Sequence, residues 1–344
     1  MSNTKCKDKG SGRTGLVNLG NTCFLNSCMQ ALSHTYELSD VFLSNKFAKA
    51  LNNSTETNNL VVEWINLRNV MWAQDGVVSP NRFVRNVQEN AEKKGRDLFT
   101  GWAQNDLPEF LLFFIECMHN TVARPVNMTI NGNVQNSIDK LATECYKMLK
   151  RSYSTEYSEI MDMFYGIYVS ELSSKTGTIH SINPENYFIL DLEIPRPNAS
   201  LDDCFRAFTS YEMLEGENAW LNEQTKCRED VRKRITFWNF PKILVITLKR
   251  FSVDGGKKRQ DLIDFPLTNM NLSGYVSGYN ADQYVYDLYA ICNHSGGTMG
   301  GHYTSFVKTH NGEWIHFNDT KVERHINVNK LVTPKAYCLF YRKH

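Results

Sequence analysis

The sequence predicts an α+β protein, with a helix-rich half followed by a strand-rich half rather than alternating with it. Three observations carry this. From about Gly15 to Arg151 apolar residues recur mainly at helical spacing, as at Leu107, Phe110, Leu111, Phe114, Ile115 and Met118. From about Phe164 onward the apolar runs are short and β-rich, Ile243 to Phe251 (ILVITLKRF) being the plainest. No internal repeat interrupts that order.

Residues 1–14 are polar, with Gly10, Gly12 and several lysines, and are expected to be a mobile tail. A first helix starts at an Asn21 or Thr22 N-cap and runs to about His34, with Phe24, Leu25, Cys28, Met29 and Leu32 as its apolar stripe. Cys23 then takes the first helical position, off the centre of that stripe. The Asn/Thr-rich stretch from Asn52 to Asn59 reads as a loop. A second helix begins at an Asp106 cap, with Pro108 in the first turn, where its missing N–H costs little. In the strand half, Tyr284 to Cys292 is mixed apolar and polar. His302 to Lys308 and Trp314 to Asn318 flank Asn311-Gly312, a strong hairpin signal.

The 344 residues carry 38 Lys plus Arg against 37 Asp plus Glu, a formal charge of +1, and are 42% apolar. That excludes a disordered chain and gives no reason for binding bulk nucleic acid or an anionic membrane, although a local charged groove stays open. The N-terminus lacks the apolar core of a signal peptide, and no run is long enough to span a bilayer. The nine cysteines are irregularly spaced and odd in number, which favours a reducing compartment, cytoplasm or nucleus. No C-x-x-C occurs, so a cysteine-rich zinc site has no support in the sequence, and no cofactor is expected.

Cys23 has two readings. A buried small residue is the ordinary fate of an intracellular cysteine. A nucleophile is the sharper one, because the positive end of a helix dipole favours a thiolate and Gly15, Gly20 and Asn21 let backbone approach a substrate closely. His302, directly after Gly300-Gly301 at a strand start, is a candidate base. A two-residue hairpin loop sets Asp319 on the same side as His302, and a loop one residue longer or shorter sets Asn318 there instead. Either side chain can accept from the imidazole and fix its tautomer. Cys, His and Asn or Asp together describe a papain-like thiol hydrolase.

The segment GLVNLGNTCFLNSCMQAL (Gly15 to Leu32) resembles the cysteine box of the ubiquitin-specific protease family, and AQNDLPEFL (Ala103 to Leu111) its glutamine–aspartate box. ILVITLKRF with DFP (Asp264 to Pro266) is similar to the family's central palm strand and the loop beyond. NHSGGTMGGHYTSFV (Asn293 to Val307) with WIHFND (Trp314 to Asp319) resembles its histidine box, and AYCLFYR (Ala336 to Arg342) its last strand. The order and spacing match over nearly everything from Gly15 to Arg342.

The resemblance implies a papain-like fold with a helical thumb (about 15–155), β fingers (about 156–240) and a β-sheet palm (about 241–343), forming one catalytic domain over 15–343. It implies hydrolysis of the isopeptide or peptide bond after the C-terminal glycine of ubiquitin. Cys23 would attack the carbonyl, and His302 would take the thiol proton and pass it to the leaving amine. Asn318, directly after the Phe of the histidine box, would orient His302, with Asp319 as a further acceptor. Asn18 would donate to the oxyanion; losing one such donor costs about 10²–10³ in rate. Gln104 would lie near the oxyanion side. Asp106 and Glu109 would meet the arginine-containing tail of ubiquitin. Tyr303 and the glycines at 296, 297, 300 and 301 would line the channel for its Gly-Gly end, whose small walls discriminate against side chains.

Plain structural readings stand beside these roles. Asn18 serves a turn equally well, and Asp106 with Glu109 forms a D-x-x-E pattern that a capping box explains. The chain also departs from the family. Where many relatives bind zinc through two C-x-x-C pairs in the fingers, this one has Ser/Thr/Lys/Gly near Leu172 to Gly177 and only Cys227 near Asn222. The fingers would then rest on strand pairing and apolar packing, with Phe164, Tyr168, Tyr187, Ile189, Trp220, Phe237 and Trp238 contributing. The rival readings are a catalytically silent ubiquitin-binding module, another thiol enzyme with the same triad, and an isopeptidase for a ubiquitin-like modifier. The expected partners are ubiquitin and its conjugates, with room for a separate activating or targeting protein.

Overall fold

The computed structural model describes residues 12–344 except 43, 45–46, 48–57, 224, 252–255 and 298–299. In chain order, β1 (Gly15–Leu16) leads into α1 (Cys23–Ser33), α2 (Tyr36–Phe42), α3 (Asn58–Ala73), β2 (Val77–Val78), α4 (Asn81–Lys93), α5 (Leu107–Val122), α6 (Ser137–Tyr153) and α7 (Glu159–Phe164). Then come β3 (Gly166–Ser173), β4 (Ile179–Tyr187), β5 (Ile189–Leu192), α8 (Leu201–Phe208), β6 (Glu212–Leu214), β7 (Trp220–Leu221), β8 (Arg228–Glu229) and β9 (Val231–Asn239). The chain closes with β10 (Ile243–Leu248), β11 (Met270–Asn271), β12 (Val285–Gly297), β13 (Gly300–Lys308), β14 (Trp314–Asn318), β15 (Lys321–Glu323) and β16 (Ala336–Lys343). Helices therefore dominate the first half and strands the second.

The main sheet runs β15-β14-β13-β12-β16-β10-β5, with β11 added against β12. Neighbours are antiparallel except β10 with β5, which are parallel. All six residues of β10 are buried. Ile243 and Val245 face a core shared with the helices, while Leu244, Ile246 and Leu248 face a second core containing Phe205, Phe237 and Tyr341. Covering on both faces is why this strand reads as an unbroken apolar run rather than an alternation.

Helix α1 lies against β13, β12 and β14, and all eleven of its residues are buried. The apolar stripe accounts for one side. Three of its polar side chains donate to partners: Asn26 Nδ2 to Asp319 Oδ1 (2.8 Å), Gln30 Nε2 to the Thr14 carbonyl (2.8 Å) and Ser33 Oγ to the Gln30 carbonyl (2.9 Å). The helix thus sits in the cleft between the helical half and the sheet, with its N-terminus at the sheet's edge.

Two expectations about organisation shift. Residues 1–11 of the expected tail lie outside the described residues, as do 52–57 of the expected loop. The described end of the tail is packed: Arg13 pairs with Glu313 at 2.6 Å, and buried Thr14 donates to the Gln74 carbonyl at 2.6 Å. Asn58 and Asn59 open α3 instead of closing a loop. The range 156–240 is also not one continuous unit. Its strands β4-β3-β9-β6 form a separate sheet, but β5 joins the main sheet, and Phe164 of α7 packs into the helical core. In the separate sheet Phe237 stacks on Phe208 and Phe240, and Trp220 packs on His180. Among the described residues no helix is long and apolar enough to cross a membrane.

Candidate active site

The turn before α1 is built by Asn18. Its Oδ1 accepts from the N–H groups of Gly20 (3.1 Å) and Thr22 (3.0 Å), and the chain turns through the left-handed residues Gly20 (φ 96°) and Asn21 (φ 59°). Thr22 is the N-cap position, but its hydroxyl accepts from Leu19 N–H at 2.9 Å rather than from the helix. The first helical N–H groups stay unpaired by a cap. One of them, on Phe24, is directed at the Cys23 sulfur.

Cys23 is only 2% exposed. Burial raises its pKa. The N–H of Tyr303 lowers it, the Asp319 carboxylate raises it again, and the Phe24 N–H and Gln104 amide lower it. The net direction is upward. The expectation that the helix end favours a thiolate is therefore outweighed in this state, because desolvation of a charged sulfur is the larger effect.

His302 enters from β13. Its Nε2 lies 2.7 Å from Asn318 Oδ1. An amide oxygen only accepts, so Nε2 carries the proton and Nδ1 is left with its lone pair. The hairpin explains the choice between Asn318 and Asp319. Lys308 faces Trp314, and Thr309 N–H donates to the Glu313 carbonyl at 2.8 Å, leaving a three-residue loop closed by Gly312 at φ 82°. This is the longer of the loop lengths considered, and it sets Asn318 on the His302 side. Cys23 and His302 bond Gln104 and Asn318 rather than each other; such contacts often tighten only when substrate binds.

Asp319 has a different task. Its Oδ2 accepts from Asn18 Nδ2 at 3.0 Å and its Oδ1 from Asn26 Nδ2, with its own backbone left-handed at φ 50°. Because Asn18 Oδ1 is held by two N–H donors, Nδ2 must face Asp319, and its second hydrogen stays available. The turn reading and the donor reading of Asn18 are thus compatible.

Gln104 spans the cleft. Its Oε1 accepts from Gly301 N–H at 2.8 Å, its Nε2 donates to the Gly301 carbonyl, and that same nitrogen lies 3.9 Å from Cys23 Sγ. Asp106 occupies the N-cap position of α5, yet its carboxylate makes no cap bond. It accepts from Tyr303 Oη (2.9 Å) and Tyr337 Oη (3.1 Å) instead, so the capping-box reading with Glu109 is overturned. Burial raises the Asp106 pKa, opposed first by those two hydroxyls. Glu109 is exposed on the first turn of α5. Gly300 and Gly301 pair with Gly297 and Gly296 across the β12–β13 hairpin, and a Cβ on Gly301 would collide with the His294 ring.

Three residues of this site escaped the sequence reading. Asn26 follows Cys23 by three positions, the only local signal that it shares the site. Tyr337 and His294 come from strands remote in sequence and carry no such signal; His294 packs 4.6 Å from the Tyr303 ring. In the fingers range, Cys227 is exposed, and among the described residues no group of three or more His, Cys, Asp or Glu side chains could hold a metal ion.

A thiol at a helix start, an imidazole held by an amide and a sheet packed against that helix define the papain-like class of cysteine hydrolase. The chain belongs to the ubiquitin carboxyl-terminal hydrolase family, whose model matches residues 14–341. It is 36% identical over 340 residues to ubiquitin carboxyl-terminal hydrolase 2 of Homo sapiens, covering 96% of this chain and 55% of that protein. It is 34% identical over 360 residues to ubiquitin carboxyl-terminal hydrolase 21 of Mus musculus, covering 97% and 62%. The chain therefore spans little more than half the length of these curated relatives. Its fold resembles the SAGA Ubp8/Sgf11/Sus1/Sgf73 DUB module bound to ubiquitin aldehyde, with a TM-score of 0.73 at 22% identity, covering 98% of this chain and 71% of that one.

Proposed function

We propose that this chain is a cysteine isopeptidase that removes ubiquitin from its conjugates. The observation that carries the reading is the 2.7 Å contact between His302 Nε2 and Asn318 Oδ1, which leaves Nδ1 as the proton acceptor in a site that also holds Cys23. In this reading Nδ1 takes the thiol proton, the sulfur attacks the carbonyl of the terminal glycine, and the same nitrogen protonates the departing amine. Water then hydrolyses the thioester. The oxyanion would be met by the free hydrogen of Asn18 Nδ2 and the Cys23 backbone N–H. Asp319 serves as the anchor of Asn18. The Gly-Gly end would pass between Gly300, Gly301 and Tyr303 on one side and Gln104 on the other, with Glu109 the exposed carboxylate for a basic tail and Asp106 reached through its two tyrosines.

The relatives' names and the ubiquitin-bound fold neighbour support ubiquitin as the modifier. Cysteine usage supports action in the cytoplasm or nucleus, and substrate choice leaves room for a separate targeting protein. The test is reaction with ubiquitin bearing a C-terminal electrophile. A covalent adduct with the native chain and none with Cys23→Ser is expected. No Cys23-dependent adduct, together with no cleavage of a ubiquitin–fluorophore amide, sinks the proposal.

A further inference from the structure

Beside His302, on the face opposite the helical core, lies an open cavity of about 600 Å³. Its wall includes His302, Asn318, His316, His294, Lys258 and Lys335. Among the described residues no Asp or Glu lines it. Glu323, 66% exposed, stands 3.5 Å from His316 Nδ1. Among the described residues neither Lys258 nor Lys335 has a carboxylate within ion-pair distance. Lys258 Nζ donates to the His294 carbonyl at 2.6 Å, so its amine is fixed at the wall. Its pKa is pushed down to about 8, by burial first and then by the positive charges of Arg250 and Lys335. Two cations gathered with no counter-ion among the described residues are unfavourable alone and favourable toward an incoming anion.

The position of the cavity says which part of a substrate would enter. Gln104, Asp106, Tyr303 and Gly301 are absent from its wall, and of the residues tied to the ubiquitin tail Gly296 alone reaches it. His302 does line it. In the reaction proposed above, that imidazole hands its proton to the leaving amine, so the chain bearing the amine must pass the ring. A cavity beyond the ring lies in the path of that chain.

We infer that this cavity is an acceptor-side subsite selecting conjugates with an Asp or Glu beside the modified lysine. The inference rests on the isopeptidase reading and deepens it. An acidic side chain entering here would meet Lys335 at the mouth and Lys258 at the wall. A basic one would meet two like charges.

The test uses ubiquitin joined through its C-terminus to the lysine of short peptides identical except for flanking Asp, Ala or Lys. Acidic flanks are expected to raise kcat/KM over basic ones by about fivefold to tenfold, a partly exposed charge effect. The ratio should shrink as salt rises from about 50 to about 300 mM, because the Debye length falls from about 14 Å to about 6 Å. Lys335→Glu, at an exposed position, should bring the ratio to one or invert it, and Lys258→Gln should reduce it. Equal rates across the peptides, or a ratio unchanged in Lys335→Glu, overturns the subsite while leaving the isopeptidase intact. Failure to cleave any conjugate or the ubiquitin–fluorophore amide overturns both.

Discussion

Asp319 holds Asn18: the carboxylate Oδ2 accepts from the amide Nδ2 at 3.0 Å, across 301 positions of sequence. Its neighbour Asn318 meanwhile holds His302. Two consecutive residues thus hold two different side chains of the candidate site. The left-handed backbone at Asp319 (φ 50°) turns the chain so that the two side chains diverge.

This division predicts different defects. Asn318→Ala frees the imidazole, so proton transfer suffers. Asp319→Ala frees Asn18, the oxyanion donor of the proposed mechanism. Each is expected to lower kcat by about 10²-fold with little change in KM. The distinguishing measurement is alkylation of Cys23 by a small electrophile, which needs the base but no oxyanion donor. Alkylation should slow in Asn318→Ala and not in Asp319→Ala. If Asn318→Ala is silent and Asp319→Ala inactive, the orienting role belongs to Asp319.

The thiol's own titration follows from its surroundings. Burial raises the Cys23 pKa and the Asp319 charge adds to it. The thiolate fraction therefore grows late as pH rises. Asp319→Asn removes the anion and keeps the shape, so the midpoint of iodoacetamide alkylation against pH should move to lower pH. An unmoved midpoint would show that the carboxylate does not act on the sulfur electrostatically.

Arg250 is fully buried, and among the described residues its side chain donates to three carbonyls: Ala336 (2.7 Å from Nε), Asp261 (2.9 Å from Nη1) and Arg259 (3.3 Å from Nη1). It ties the end of β10 to the start of β16. Arg250→Met strips these carbonyls of their donor and should cost about 2–5 kcal/mol, read from urea unfolding. Arg250→Lys should recover only part, because a single ammonium cannot span the fork. Full stability in Arg250→Met would contradict the assignment.

His294 is buried, and its pKa is lowered to about 4, by burial first and then by Lys258 and His302. The unfolded chain takes up this proton near the ordinary value of 6.5, before the folded one does. The stability held at neutral pH is therefore lost as pH falls from about 6.5 to about 4, by at most about 3 kcal/mol. His294→Gln should show a shallower fall over that window in thermal unfolding. Parallel curves would remove His294 as the source.

Much of this protein was legible locally. The fold class, the start of α1, the 311–312 turn and the double glycine before His302 all follow from residues close in sequence, where period and turn chemistry are decisive. The resemblance of its boxes also pointed to Cys23, His302, Asn318 and Asn18 as candidates. Other features depended on what lay across the cleft. Asp106 looked like a helix cap, and only packing against Tyr303 and Tyr337 gave its carboxylate better donors than the helix. Cys23 looked like a thiolate from its helix position, and only burial reversed the direction. The hairpin signal alone left Asn318 and Asp319 open, because one residue of register is too small a difference for a turn pattern to resolve; the resemblance pointed to Asn318, and the three-residue loop between Thr309 and Glu313 sets it on the His302 side. Spacing along the chain determines which groups are offered to the site. Desolvation and the partners brought by distant strands determine which state each group adopts, because those energies depend on contacts that no local window contains.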